Sequence, residues 1–278
     1  MGCPAPAVTC DRLCAPVAQG QPAAGVSPTH CDIFDCFDCD AGPSSATLWC
    51  YYGCAGTGRR PAKLRRPRRR RGSDPVARTL AEMAYLEAAS VAAFERLGRE
   101  LAALGAPKAL CRAAVRALHD EKRHARVVRE LAERAGGEVP PVRVPRGRAR
   151  SLEAMATENA VEGCVYETFG AAVALTQSIQ ARDGEVRAAM SRIAVDEARH
   201  AELTWQVARW AEPRLTPAAR ARVERRRRRA ARELVLSAGR SDSPTVVREL
   251  GMLGPAQARG VALDLAKALS TRFIGSTA

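Results

Sequence analysis

Two copies of one short segment carry most of the chemistry in this chain. Asp120-Glu121-Lys122-Arg123-His124-Ala125 returns further on as Asp196-Glu197-Ala198-Arg199-His200-Ala201, changed only where Lys122 gives way to Ala198. In each copy Glu-x-x-His sets a carboxylate and an imidazole at i and i+3, which a helix places one above the other on a single face. A hard oxygen donor and a nitrogen donor aimed at one point make half of a transition-metal site, and here the half-site occurs twice. Two of the four histidines fall in these copies. His119 is set aside because it lies roughly 200° around the helical wheel from Glu121, and His30 because it stands far from either copy.

A further glutamate stands upstream of each copy. Glu87 lies in Leu86-Glu87-Ala88-Ala89-Ser90-Val91-Ala92-Ala93-Phe94, and Glu162 in Val161-Glu162-Gly163-Cys164-Val165-Tyr166-Glu167-Thr168-Phe169. Each follows an apolar residue and precedes, by nearly two helical turns, a phenylalanine on the same face. The chain therefore reads as two similar halves, each a Glu helix followed by a Glu-x-x-His helix. Helical spacing surrounds Glu87 with Leu80, Ala84, Val91 and Phe94, and Glu121 with Leu118, Ala125 and Val128. Met155, Phe169 and Val173 flank Glu162, and Ile193, Ala201 and Val207 flank Glu197, so every glutamate sits in an apolar stripe. Unpaired buried carboxylates cost several kcal/mol, so four of them need a common reason. A shared pair of metal ions supplies one.

The turns that separate these helices are legible too. Ser73-Asp74-Pro75 offers an N-cap and an N1 proline. Gly105-Ala106-Pro107 and Asp183-Gly184 are tight links, and short links make antiparallel neighbours. From Gly136 to Arg150 the chain is rich in Pro and Arg. That stretch reaches about 50 Å when extended, enough to run the length of a bundle. The expected fold is all-α: a four-helix bundle with one long crossover between helices two and three, plus C-terminal helices.

With Glu87, Glu121/His124, Glu162 and Glu197/His200 in place, the chain resembles the ferritin-like di-iron carboxylate superfamily, in which two helices give one Glu each and two give Glu-x-x-His. The resemblance covers roughly residues 74–211. It implies the ferritin-like bundle and six metal ligands: Glu87, Glu121, His124, Glu162, Glu197 and His200. It also implies that Asp196 accepts from His124 and Asp120 from His200, fixing the coordinating tautomer. Glu121 and Glu162 are candidate bridges, with Glu87 and Glu197 terminal. Tyr166, one turn after Glu162, is a candidate neighbour of the metals, weighed against a core tyrosine role. Glu158 is weighed as an extra ligand and Arg123 and Arg199 as anchors for nearby carboxylates; the plainer reading of all three is a polar face. Cys111 and Cys164 read as small apolar fillers.

The flanks differ in composition. Residues 1–72 hold all ten cysteines except Cys111 and Cys164, and end in Arg65-Arg66-Pro67-Arg68-Arg69-Arg70-Arg71. Cys31, Cys36, Cys39, Cys50 and Cys54 match neither a rubredoxin nor a zinc ribbon. This segment is read as an unstructured or spurious leader, against a folded cysteine module. Residues 73–211 form the expected bundle domain and 212–278 a basic helical extension. No apolar stretch is long enough to span a membrane. The cytoplasm is favoured, with an extracytoplasmic location kept open by the cysteines. The net charge of +14 gathers in arginine runs; it favours nucleic acid only electrostatically, against a solvated basic face. A homodimer contact through the tail is a further expectation.

The resemblance implies two iron ions, or manganese in their place, and an oxidoreductase that reacts with dioxygen or peroxide as a peroxidase, ferroxidase or oxygenase, fed by an electron donor the sequence does not name. Two alternatives stand beside it: a di-iron hydroxylase acting on RNA or a small molecule, and a non-catalytic protein that keeps the metals as a structural clasp.

Overall fold

The computed structural model describes residues 59–61, 64, 74–144, 150–238 and 243–271. All of them lie in the unit Ala55–Ala278. The cysteines of the leader lie outside the described residues.

Helix α1 (Pro75–Ala103) begins where the Asp74 carboxylate accepts from the Ala77 N–H at 2.8 Å, with Pro75 at the first helical position. Gly105, at φ 70°, turns the chain into α2 (Lys108–Arg134), and the two helices pack together along their length. The third arm starts at Ser151, whose side chain caps α3 (Leu152–Glu158). It continues without a break as a π-helical segment, Asn159–Glu167, and then as α4 (Thr168–Gln180). Asp183 caps α5 (Gly184–Ala211) by accepting from the Glu185 and Val186 N–H groups, and α5 packs back on α4. Beyond a 3₁₀ turn, Glu212–Arg214, come α6 (Pro217–Ala238), α7 (Pro244–Leu250) and α8 (Pro255–Thr271).

The core falls into two apolar clusters. One joins Leu80 and Met83 of α1, Val128 and Leu131 of α2, Phe169 and Val173 of α4, and Val186, Met190 and Ile193 of α5. The other joins Phe94, Leu97 and Leu101 of α1, Leu110 and Ala114 of α2, Met155 of α3, and Leu203, Val207 and Trp210 of α5. Membership gives the direction of each arm. α1 and α5 run from the first cluster to the second, whereas α2 and the α3–α4 arm run the other way. The connection between α2 and α3 must therefore return from one end of the helices to the other, as a crossover. Arg150 anchors its far end, with Nε and Nη2 donating to Glu100 at 2.7 and 2.8 Å. Between the two clusters, midway along each arm, lies a layer of buried Glu and His.

The C-terminal helices cover the arm that carries the π-helical segment. α6 packs against that segment and against α3 and α8. The α4–α5 turn is held by the end of α7: Arg182 and Asp183 donate to the carbonyls of Arg248 and Glu249, and buried Gln177 donates to that of Leu250. Gly251 follows at φ 64°, where a Cβ would meet the Ala181 nitrogen at 2.3 Å. Among the described residues no helix is long and apolar enough to cross a membrane.

Gly163 lets the π-helical segment lie close against α5, since a Cβ there would stand 2.8 Å from both Thr204 Cβ and Thr204 Cγ2. Gly163→Ala is expected to destabilise the fold by about 1–3 kcal/mol, the usual range for overpacking. Gly260→Ala, in α8 with nothing within 4 Å of the new Cβ, is expected to be neutral or stabilising by up to ~1 kcal/mol. Thermal unfolding of the two variants checks the contrast, and equal shifts would show that the close approach at Gly163 carries no weight.

Candidate metal centre

Regular α-helical spacing delivers four of the donors. Glu121 and His124 on α2, and Glu197 and His200 on α5, are all buried and share one face of their helix. Glu87 of α1 is buried in the same layer. Both imidazoles turn Nδ1 inward. His124 Nδ1 lies 3.3 Å from Glu197 Oε1, 3.6 Å from Glu87 Oε2 and 3.9 Å from Glu121 Oε2. His200 Nδ1 lies 3.1 Å from Glu121 Oε1 and 3.5 Å from Glu197 Oε1. Glu121 thus directs one oxygen at each histidine, and Glu197 Oε1 stands between the two.

The sixth donor is Glu167, which sequence reasoning missed. It is fully buried at the end of the π-helical segment, and its carboxylate groups with those of Glu121 and the ring of His200. Glu162, expected in that place, does not join the cluster. Its carboxylate accepts from the Arg60 backbone N–H at 3.3 Å and faces the Arg60 Nε at 3.7 Å, near the surface. The reason is helical winding. In an α-helix, positions five apart diverge by about 140°; i→i+5 winding lets one extra residue into the turn. The buried line then runs Asn159, Gly163, Glu167, so a count made at α-helical spacing lands on Glu162 while the grouped donor atoms include Glu167. The remaining signal in the sequence was a second glutamate, in the same apolar stretch, five residues on.

The ring of Tyr166 faces the Arg60 guanidinium, 4.7 Å from its centroid. Glu158 is bound by Arg96 and Arg150, each at 2.7 Å, and makes no contact with the cluster. His119 is exposed. Cys164 is buried, and burial pushes its thiol up to about 11, as suits an inert apolar filler; Cys111 is half-buried. His30 lies outside the described residues.

The outward nitrogens of the histidines meet aspartates from the opposite copy of the repeat. His124 Nε2 lies 3.0 Å from Asp196 Oδ2, and His200 Nε2 3.3 Å from Asp120 Oδ2. Burial works against ionised Asp120, but His200 and Arg123 hold its carboxyl well below the usual range. An ionised carboxylate only accepts, so it places the proton on Nε2 and leaves the inward Nδ1 lone pair free to coordinate. Arg123 bonds both aspartates, and Arg199 bonds Asp196 and approaches Asp120 at 3.6 Å.

Electrostatics and hydrogen bonding point to a cation. Both carboxylate oxygens of Glu121, Glu167 and Glu197, and both Nδ1 atoms, are buried without an aligned hydrogen bond. Burial and repulsion from Glu197 push Glu167 up to about 8, and burial with repulsion from Glu87 raises Glu121 well above the carboxylate range. Burial favours neutral imidazole, yet Glu197 and Glu87 hold His124 up at about 11 and the neighbouring carboxylates raise His200 further. Against its burial, Glu197 is drawn down to about 2 by the two histidines. The donors form two sets whose ligand atoms lie within 4.8 Å of one another: Glu87, Glu121, His124 and Glu197, and then Glu121, Glu167 and His200. Oxygen-rich sets with one imidazole each suit iron or manganese. The structure is thus all-helical with a buried Glu/His cluster able to hold metal. Comparison with protein-family models, curated proteins and solved structures returns no match.

Metal must displace protons from Glu167 and from both imidazoles, because ligation needs the deprotonated forms. Protons compete with the metal, so apparent affinity is expected to rise between about pH 6 and about pH 8, with proton release on loading near neutrality. A pH indicator in weakly buffered protein measures the release. Tight uptake with no proton released and no pH dependence would contradict the assignment.

Proposed function

We propose that this chain is a ferritin-like di-metal carboxylate protein that works as an oxidoreductase on dioxygen or peroxide, with two iron ions or manganese in their place. The observation that carries this reading is the convergence of four buried carboxylates and two imidazoles from four helical arms on one layer of the core. Glu87, Glu121, His124 and Glu197 would hold one ion, and Glu121, Glu167 and His200 the other, with Glu121 shared. Two redox-active ions held by these residues would supply the pair of electrons that cleavage of an O–O bond consumes.

The chain's own residues do the rest. Asp120 and Asp196 hold the imidazole tautomers, so that both Nδ1 atoms stay available. The apolar clusters on either side of the layer keep bulk water from the ligands, which strengthens their electrostatic interactions. Phe94, tilted over His200 with ring centroids 5.1 Å apart, fixes that ring from the side. The dense oxygen donor set favours hard cations over copper or zinc.

Elemental analysis of the purified chain is expected to give two metals. Glu121→Ala and Glu167→Ala should each lose metal and oxygen or peroxide turnover, whereas Glu162→Ala and His119→Ala should retain both. Asp196→Asn should weaken metal binding by about 10–100-fold, the usual cost of losing a partner of a ligating histidine. A well-folded chain that takes up no metal after anaerobic iron loading would sink the reading. Two metals with no turnover would reduce it to a structural clasp.

A further inference from the structure

Arg59 is among the largest side chains fully removed from solvent in the described residues, at 0% exposure. Its carbonyl accepts from Ser90 Oγ at 3.1 Å, and its Nη1 donates to Asn159 Oδ1 at 3.1 Å. These contacts dock residues 59–61 between α1 and the π-helical segment. The guanidinium lies 5.9 Å from the Phe94 ring centroid. Its Nε and Nη2 are buried without a hydrogen-bond partner.

Local pairing explains this cation only in part. Its nearest carboxylate is Glu158, with Nε 3.9 Å from Oε1. Glu158 already receives Arg96 and Arg150 at 2.7 Å each, and Arg150 is also held by Glu100. Three guanidiniums therefore face two carboxylates, and one positive charge is left over. Arg60, next in the chain, is matched by Glu162 and has 22% of its side chain exposed. A buried guanidinium without a matched partner is costly and persists only where another interaction offsets it. The face of Phe94 gives the guanidinium one such contact and also connects it to the metal-binding layer. One ring contact connects Phe94 to Arg59 and another, at 5.1 Å, to His200. Arg59 is thus one aromatic ring away from the carboxylate layer, and its field reaches Glu167 at the edge of that layer.

We propose that Arg59 is a fixed, buried positive charge beside the metal centre, which favours the reduced over the oxidised state of the bound ions. The inference rests on the di-metal reading above. Four carboxylates balance two divalent ions, so each electron withdrawn leaves a net positive charge at the centre. A cation held nearby in a medium that screens poorly opposes that charge. Arg59 therefore raises the reduction potential, and removing it lowers the potential. Lysine at the same position keeps the charge and loses only the planar fork.

The experiment is a spectroelectrochemical titration of the iron-loaded full chain, with metal content measured on every sample. Arg59→Met fills similar space without charge and is expected to shift the midpoint potential downward at unchanged metal content. Arg59→Lys should restore most of the wild-type value. Arg60→Gln removes a charge from the same docked segment whose side chain is 22% exposed and so screened by water, and should shift the potential much less. If Arg59→Met fails to fold, Arg59→Gln keeps a donor for Asn159 and takes its place with the same expected shift. An unmoved potential in a variant that holds both metals overturns the inference alone. Equal shifts in Arg59→Met, Arg59→Lys and Arg60→Gln also overturn it, since docking of the segment and not charge would then set the potential. A wild-type chain that binds no metal overturns the di-metal reading and this inference with it.

Discussion

Carboxylates brought together inside an apolar core repel one another and lose their water, and each of these costs several kcal/mol unless a positive charge arrives. Glu87, Glu121, Glu167 and Glu197 are all fully buried in one layer. Much of the surrounding structure can be read as a response to that layer. The imidazoles of His124 and His200 stand among the carboxylates at 3.1 to 3.9 Å. Asp120 and Asp196 polarise those imidazoles from behind, and Arg123 and Arg199 neutralise the aspartates where they approach solvent. Charge alternates in sign outward from the centre until water takes over.

The π-helical segment belongs to the same account. Such winding is uncommon and less favourable than α-helix, so it persists where tertiary contacts or function hold it. Here both kinds of contact are visible. Asn159 Nδ2 donates to the Thr204 carbonyl at 2.8 Å, and Gly163 removes the side chain that would push α5 away. α6 packs over the segment from outside, with Val223, Ala230 and Leu234 buried. In α6, buried Arg227 is bound by Glu224 of the same helix and by Glu212 of the preceding 3₁₀ turn, so its charge is compensated locally. The result of the extra residue in the turn is a carboxylate, Glu167, in the layer, and a second one, Glu162, turned away from it toward Arg60 and only partly exposed.

How much of this was legible in the sequence depends on how local the determinant is. Glu121 with His124, and Glu197 with His200, are readable because i,i+3 geometry in a regular helix needs no outside information. Glu87 is readable because its apolar stripe keeps α-helical spacing through Phe94. The same count fails at Glu162, since the apparent match of Glu162 to Phe169 copies that of Glu87 to Phe94 while the backbone between them winds differently. Winding of that kind is fixed by the packing of Gly163 on Thr204 and of α6 outside, contacts between residues distant in the chain. Arg59 is hidden for the same reason: its partner Asn159 is 100 residues away, and it lies in a stretch where composition alone suggested no packed structure. The helical class and the tight links were accessible from caps and glycines, because those are local too.

The two surroundings of the centre also differ in how they meet water, which bears on where protons enter and leave. Behind the imidazoles, polar contacts run continuously: His124 to Asp196 to Arg123, whose side chain is 51% exposed. His200 leads likewise through Asp120, and Arg199 approaches that aspartate with 58% exposure. Beside His200, by contrast, stands Phe94, fully buried, with fully buried Arg59 beyond it. The described contacts thus give protons a hydrogen-bonded connection from the imidazoles to Asp196 and Asp120, which keep 14% and 10% of their side chains exposed, while the charge on Arg59 is enclosed. A cluster that must exchange protons with every cation it binds is thereby flanked on one side by groups that connect it to water and on another by a charge sealed away from it.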